Sequence, residues 1–451
     1  MPLLENTETQ PSLPEVHRSI TIPDGKSFWR KLLAFTGPGY LVSVGYMDPG
    51  NWATDIAGGA QFGYTLLCVI VLSNFIAILL QALCVRLGVA TSRDLASSCR
   101  DFFSQRVNIS LWLLAEIGIV ACDLAEVIGG AIGLELLFHI PLIVGVCLTS
   151  LDVVLLLMLQ RYGFRYIEAL TITLVSSIGL CFLAEVLFSH PDFGSVIQGL
   201  VPQSSILQQP EMLYVALGIL GATVMPHNLY LHSAIVQTRA WQPTPEKKRE
   251  AIKFGTLDSM IALSLALFVN AAILVVAAAT FHFSGHQGVA EIEDAYKLLS
   301  PLLGVKVASL LFALALLASG QSSTLTATLA GQIVMEGFLN LRITPWLRRL
   351  ISRLAAIIPT VICILLFGHS GTTKLLLFSQ VLLSFQLSFA VFPLVMFTSN
   401  SRLMGEFVNP LWLKLLSWGV ALMIAGLNVW LIWQSLSDLL HGLKVAVRCR
   451  S

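Results

Sequence analysis

The sequence predicts an all-α membrane protein of eleven transmembrane helices, in which the first and sixth helices are broken near the midplane. Three observations carry that expectation. Of 451 residues, 56% are hydrophobic and only 12% are charged, with a mean hydropathy of +0.79. Soluble domains carry about 25% charged residues, so roughly half the usual solvating charge is missing. Eleven stretches are apolar over the roughly 20 residues that a helix needs to cross a bilayer. Finally, two of those stretches contain a proline flanked by polar residues.

The chain begins with a polar segment, residues 1–31, containing Glu5, Glu8, Pro11, Pro14 and Lys26. It lacks the apolar core of a cleavable signal and is expected to be a cytoplasmic tail. The expected spans lie near 33–57, 64–88, 109–138, 142–159, 166–188, 212–238, 256–281, 302–336, 350–368, 373–398 and 412–434. Their length and lack of alternation favour helices over a barrel. With the N-terminus inside, 21 of the 27 lysines and arginines fall on the inner side, as the positive-inside rule asks. An odd number of spans then puts the C-terminus outside, where Lys444, Arg448 and Arg450 oppose that rule.

The formal net charge of +1 leaves no cationic surface to neutralise phosphates, which excludes nucleic acid as a main partner. No obligate protein partner is evident. The eight cysteines form no C-x-x-C pair, so neither a disulfide framework nor a zinc site is expected.

The first span reads Asp48-Pro49-Gly50-Asn51 and the sixth Met225-Pro226-His227-Asn228, the two prolines being 177 residues apart. Proline removes a backbone hydrogen bond and glycine permits unwinding, so neither span continues as one helix. Five spans separate the breaks, and an odd-numbered repeat enters the membrane from opposite sides. The expected organisation is a first inverted repeat at 32–190, a second at 191–400, and an eleventh helix with its tail at 401–451. Paired breaks in two halves point to a midplane binding site. A packed bundle with two proline kinks is the plainer alternative.

A carboxylate at the bilayer centre costs about 2.5–3.5 kcal/mol on insertion scales, which marks Asp48 as functional. Asn51 offers an amide, the breaks offer freed carbonyls, and Met225 offers a thioether. Hard cations want oxygen alone, so a sulfur ligand points to softer first-row divalent ions. A methionine in an apolar span is ordinarily core; its place beside Pro226 makes it a candidate. In the third span, Glu116, Asp123 and Glu126 fall on one helical face, and three acids on one stripe do not face lipid. Arg348 and Arg349 are candidate counter-charges. That set suits either a proton relay or a structural salt-bridge network, and the residues alone leave both open.

Asp48-Pro49-Gly50-Asn51, Met225-Pro226-His227, Asp123-Leu124-Ala125-Glu126 and Arg348-Arg349 together resemble the motifs of the Nramp family of proton-coupled divalent-metal transporters, most like its bacterial manganese importers. The resemblance covers nearly the whole membrane region. It implies a LeuT-type fold and a metal held by Asp48, Asn51, Met225 and the Ala222 carbonyl, with Gln380 joining in some conformations. It further implies a proton pathway through Asp123, Glu126, His227, His232 and the arginine pair, to which the helical stripe adds Glu116. The implied activity is proton-coupled import of Mn²⁺ and Fe²⁺ across a bacterial plasma membrane by alternating access, with no resident cofactor. The competing reading is a sodium-coupled symporter of a small organic solute, although Asp48 would repel a substrate carboxylate. An intramembrane enzyme is disfavoured by the absence of H-E-x-x-H and G-x-S-x-G.

Other polar residues get structural readings. Asp55, Asp152, Glu168, Glu185 and Asp258 are expected as buried hydrogen-bond partners or at helix ends. Residues 244–250, rich in lysine and glutamate, read as a solvated cytoplasmic loop helix in reach of anionic lipid.

Overall fold

The computed structural model describes residues 12–14, 16–23, 25, 27–151, 163–289, 291–305 and 307–448. Lys26, Asp152, Arg161, Lys306, Cys449, Arg450 and the second half of the fourth expected span lie outside the described residues.

The chain opens with a short strand, β1 (Ile20–Thr21), followed by helices α1 (Phe28–Phe35), α2 (Pro38–Gly45) and α3 (Pro49–Phe62). Helices α2 and α3 make up the first crossing, and α1 leads into it. Gly37 separates α1 from α2 with φ +143°, a conformation open to glycine, and a Cβ there would overlap the Glu168 carboxylate. The break between α2 and α3 falls at Tyr46–Asp48. Pro49 takes the first position of α3, where no N–H is needed, and Asp48 caps it by accepting from the Asn51 N–H at 2.8 Å.

Next come α4 (Leu67–Thr91), α5 (Leu95–Phe102), α6 (Gln105–Phe138) and α7 (Leu142–Leu148), followed by α8 (Phe164–Ser189), α9 (Phe193–Gln198) and α10 (Ser205–Gln208). The sixth crossing is α11 (Pro210–Thr223) and α12 (Pro226–Ile235), broken at Val224–Met225 with Pro226 again opening the second half. Strand β2 (Arg239–Ala240) then pairs in parallel with β1. Helices α13 (Pro245–Ala277), α14 (Ile292–Leu303), α15 (Ala308–Leu339), α16 (Pro345–Phe367), α17 (His369–Thr398), α18 (Ser401–Met404) and α19 (Leu411–Arg448) complete the chain. Among the described residues nine spans are long and apolar enough to cross a membrane, the broken sixth crossing counting as one; the split first crossing stands beside them, and the expected fourth span is described only up to Leu151.

Burial separates centre from rim. The sixth crossing is 94% buried over its apolar window and α6 is 83% buried, against 28% for α16. The broken helices are therefore central, while α8, α16 and α19 present Leu180, Leu187, Leu365, Leu366 and Leu415 outward, as lipid-facing helices do.

Two expectations are corrected. The eighth span was placed at 302–336, but α15 starts at Ala308; residues 302–303 belong to α14, which ends at Gly304 in left-handed conformation. The apolar run continues across that turn, so hydropathy merges two helices. Residues 244–250 are no separate loop helix: Thr244 caps α13, which runs unbroken into the seventh crossing. Its charged first turns extend the helix beyond the apolar layer.

The described residues Ser12, Leu13 and Arg18 dock on the helices. Ser12 Oγ donates to Asp94 (2.8 Å), the Leu13 N–H to Glu336 (3.1 Å) and the Arg18 N–H to the Gln237 carbonyl (3.0 Å), with Leu13 buried in the core. Burial, helped by neighbouring Arg18, pushes the His17 pKa down.

Candidate metal centre and acid network

The two breaks meet. Asn51 Nδ2 stands 2.8 Å from Asp48 Oδ1, 3.2 Å from the Ala222 carbonyl and 3.3 Å from the Gly45 carbonyl. An electropositive NH₂ group thus sits inside a cage of three oxygens drawn from both broken helices. Asp48 Oδ2 is buried beside it without a hydrogen-bond partner. An uncompensated carboxylate oxygen in the bilayer interior is costly, and a cation relieves that cost. Turning the Asn51 amide about its last torsion would bring its oxygen in with the other three, a set that only a cation satisfies.

Met225 caps the sixth-crossing break and is fully buried. A Cβ on Gly45 would come 3.3 Å from its sulfur, so the thioether lies against the same stretch of α2 whose carbonyl faces Asn51. Gln380, on α17, presses on the opposite flank: a Cβ on Gly50 would overlap its amide, and its Oε1 is buried without a partner. Asp48, Asn51, Ala222, Met225 and Gln380 are each no more than 1% exposed. The centre is closed to both sides.

Several supporting residues had escaped the sequence reading. Asn270 Nδ2 donates to the freed Tyr46 carbonyl at 2.8 Å, and Ser319 Oγ (2.5 Å) and Trp52 Nε1 (3.2 Å) both donate to the Met47 carbonyl. Asn228 donates to the Val42 carbonyl at 3.4 Å. The backbone released by the first break is therefore satisfied from α3, α13, α15 and α12, as buried backbone requires. Single polar residues in apolar helices carry no local pattern; only their rarity marks them.

The acid stripe on α6 meets a row of arginines on α16. Arg348 Nη2 holds both oxygens of Glu116 at 3.0 and 3.1 Å. Arg349 pairs with Asp123 and, at 3.0 Å, with Glu126. Arg353, outside the candidate pair, approaches Glu126 at 3.3 Å and donates to Thr324 at 2.6 Å. It lies one helical turn beyond Arg349, a spacing that would have revealed it. Asp123, Glu126, Arg349 and Arg353 are all at most 2% exposed. The network stands one side-chain layer from the cage: Met225 packs in a cluster with Ala121, Cys122, Ala327 and Leu383, and Cys122 Sγ donates to Glu126 at 3.7 Å.

The two histidines part company. His227 is buried, with Nδ1 unpartnered. His232 makes no hydrogen bond to the α6 acids; its Nδ1 faces Gln81 at 2.9 Å and its Nε2 faces Ser259 at 3.4 Å. Gln81 in turn donates to the Tyr46 hydroxyl at 2.8 Å, so His232 communicates with the first break instead.

Elsewhere, Glu168 pairs with fully buried Arg239 at 2.6 Å, and Asp258 accepts from the Gly39 N–H at 2.7 Å, in keeping with structural roles. Asp55 and Glu185 differ from the expectation of bonded partners: Asp55 Oδ2 and both Glu185 oxygens are buried without one. The seven described cysteines are free, and no group of three or more His, Cys, Asp or Glu side chains placed to hold a metal ion occurs among the described residues. The cage escapes that pattern because it rests on one carboxylate, an amide, carbonyls and a thioether.

Comparison with known proteins gives a consistent family. The model of the family described as natural resistance-associated macrophage protein-like, Nramp, matches residues 39–434. A protein named divalent metal cation transporter MntH, from a Nostoc strain, is 72% identical over 429 residues, covering 95% of this chain and 97% of its own. The crystal structure of an Eremococcus coleocola manganese transporter superposes with a TM-score of 0.86 at 43% identity, over 93% of this chain and 90% of that one. Mhp1, described as a nucleobase-cation-symport-1 family transporter, shares the LeuT-type fold at a TM-score of 0.55 and 15% identity, over 96% and 95% of the two chains.

Proposed function

The chain belongs to the Nramp family, and from that premise we propose that it imports divalent transition-metal ions, Mn²⁺ and Fe²⁺, across a bacterial plasma membrane. One observation carries the reading: the Asp48, Ala222 and Gly45 oxygens converge at 2.8–3.3 Å on the Asn51 NH₂, beside the unpartnered Asp48 Oδ2. That geometry supports a cation bound by Asp48, Asn51 and the Ala222 carbonyl, with Met225 supplying soft selectivity and Gln380 closing the flank. The kinship with proteins named as divalent metal cation transporters points the same way.

Alternating access follows from the two breaks. Residues 32–190 and 191–400 act as inverted repeats whose half-helices rearrange around a fixed site, α2 and α12 opening the inner side and α3 and α11 the outer. The N-terminus is cytoplasmic and the C-terminus external in this scheme. Two charges crossing about 100 mV gain roughly 4.6 kcal/mol, enough to drive uptake from the potential alone. Protons enter alongside, through Glu126, Asp123 and Glu116 with their arginines. His227 serves beside the metal, and His232 acts through Gln81 and Tyr46. This is transport without chemistry; the chain is not an enzyme.

Reconstitution in liposomes with an internal metal-sensitive dye tests the reading. Mn²⁺ influx that is lost in Asp48→Ala supports it. Influx of an amino acid with Na⁺ and none of Mn²⁺ would overturn it.

A further inference from the structure

Helix α1 lies outside the crossing it leads into. Its inward face, Leu32, Ala34 and Phe35, is buried, and Phe35 stacks on Phe254 of α13. Its other face carries Trp29 (71% exposed), Leu33 (66%) and Phe28 (41%), with exposed Arg30 among them. A short helix with an aromatic, apolar outer face and basic residues beside it is built for the boundary between headgroups and acyl chains.

The neighbouring helix supplies the charge. A cavity of about 440 Å³ opens between α1 and the first turns of α13, with Phe28, Lys31, Lys247, Arg249 and Lys253 along its walls. Two acids, Glu246 and Glu250, share the wall, and Glu250 is taken up by Lys31 and Lys247. Arg249 meets Glu406 at 2.7 Å, but both side chains are well exposed, so the pair is weak. Lys253 and Arg30 make no ion pair among the described residues. The site therefore keeps an excess of positive charge.

Its level is fixed by α13 itself. Arg249, Lys253 and Met260 follow one another on the same exposed face, at spacings of four and seven residues, and Met260, Ile261 and Phe268 continue it as an apolar, lipid-facing stripe. Lys253 stands about 10 Å below Met260 along the helix, where hydrocarbon gives way to headgroups.

We propose that this corner binds the headgroup of an anionic phospholipid, its phosphate held by Arg249, Lys253 and Arg30 and its acyl chains laid along Trp29, Leu33 and the α13 stripe. The proposal takes from the transport reading only that this face is cytoplasmic. Because α1 leads through α2 to Asp48, a lipid held here ties the inner half of the first crossing to the membrane interface and sets how readily it swings.

The test uses the full chain in nanodiscs of equal parts phosphatidylcholine and phosphatidylglycerol, followed by mass spectrometry of the lipids retained after detergent extraction. The chain is expected to retain phosphatidylglycerol selectively. Arg249→Gln with Lys253→Gln, both surface changes, should cut that selectivity about 25-fold, at about fivefold per basic residue near an anionic surface. Arg30→Gln alone should cut it about fivefold, and thermal unfolding should be unchanged in both variants. Equal retention of the two lipids, undiminished selectivity in the double variant, or displacement by inorganic phosphate would overturn the proposal. The readout is lipid retention, so a failure here leaves metal transport standing, and a failure of transport leaves this result interpretable.

Discussion

Asp48 performs two separable tasks, and Asp48→Asn divides them. As the cap of α3 the side chain accepts from the Asn51 N–H, a task asparagine does about as well as aspartate, so folding should change by no more than about 1 kcal/mol. As the anionic wall of the cage, it faces a dication. At about 4 Å and an effective dielectric near 20 the gross attraction is roughly 8 kcal/mol. Desolvation offsets much of that, and removing one partner of a buried charge pair nets about 2–5 kcal/mol, or about 30- to 5000-fold in affinity. Isothermal titration of Mn²⁺ into the purified variant should therefore show Kd raised at least about 30-fold, with thermal unfolding almost unmoved. Asp48→Ala should lose about 1 kcal/mol more in stability, through the cap. An asparagine variant that binds Mn²⁺ within threefold of the parent would refute the assignment of the carboxylate to the ion.

Three further outcomes follow. Met225→Ala should let Ca²⁺ and Mg²⁺ compete with Mn²⁺ for uptake, because only oxygen donors remain; unchanged selectivity in a competition assay would dismiss the thioether's role. Arg349→Met leaves Asp123 and Glu126 buried with one arginine fewer and should cost about 3–5 kcal/mol, with part of the loss recovered when Asp123→Asn is added; calorimetry in detergent reads both, and an unshifted transition would contradict the pairing. In the connection after α8, hydrogen bonds from the Ser195 hydroxyl, the Ser195 N–H and the Gly194 N–H hold the Asp192 carboxyl below its usual range. A depressed carboxylate pKa favours the native state above the unfolded value, about 3.9, and that contribution disappears as pH falls through the native value. Carbon-detected NMR of Asp192 should give a midpoint below 3.9, and a midpoint at or above it would disprove the effect of those hydrogen bonds.

What could be read ahead of the structure follows from how local each signal is. Asp48, Pro49 and Asn51 stand within four consecutive residues of an apolar span, and Met225 with Pro226 repeats the interruption, so the breaks and their meeting were legible. The α6 acids were legible because 3.6-residue periodicity puts them on one stripe. Arg239 and Arg353 fall on the inner side in the positive-inside count, yet both are buried in ion pairs, as is Arg349. The asymmetry survives on the remaining inner residues, such as Arg93, Arg100 and Lys253. His232 shares α12 with His227, yet its partners come from α4 and α13, and only the tertiary packing decides which way α12 turns it. Asn270 and Ser319 were beyond reach for the same reason, each being the one residue of its helix that reaches the freed carbonyls of the first break.

The central claim is that an ion occupies the space now filled by the Asn51 amide. Anomalous scattering from crystals soaked in Mn²⁺ tests it directly. One strong peak is expected within bonding distance of Asp48, the Ala222 carbonyl and the Met225 sulfur, with the Asn51 oxygen turned inward. A peak among Asp123, Glu126 and Glu116 with the cage left undisturbed would contradict it.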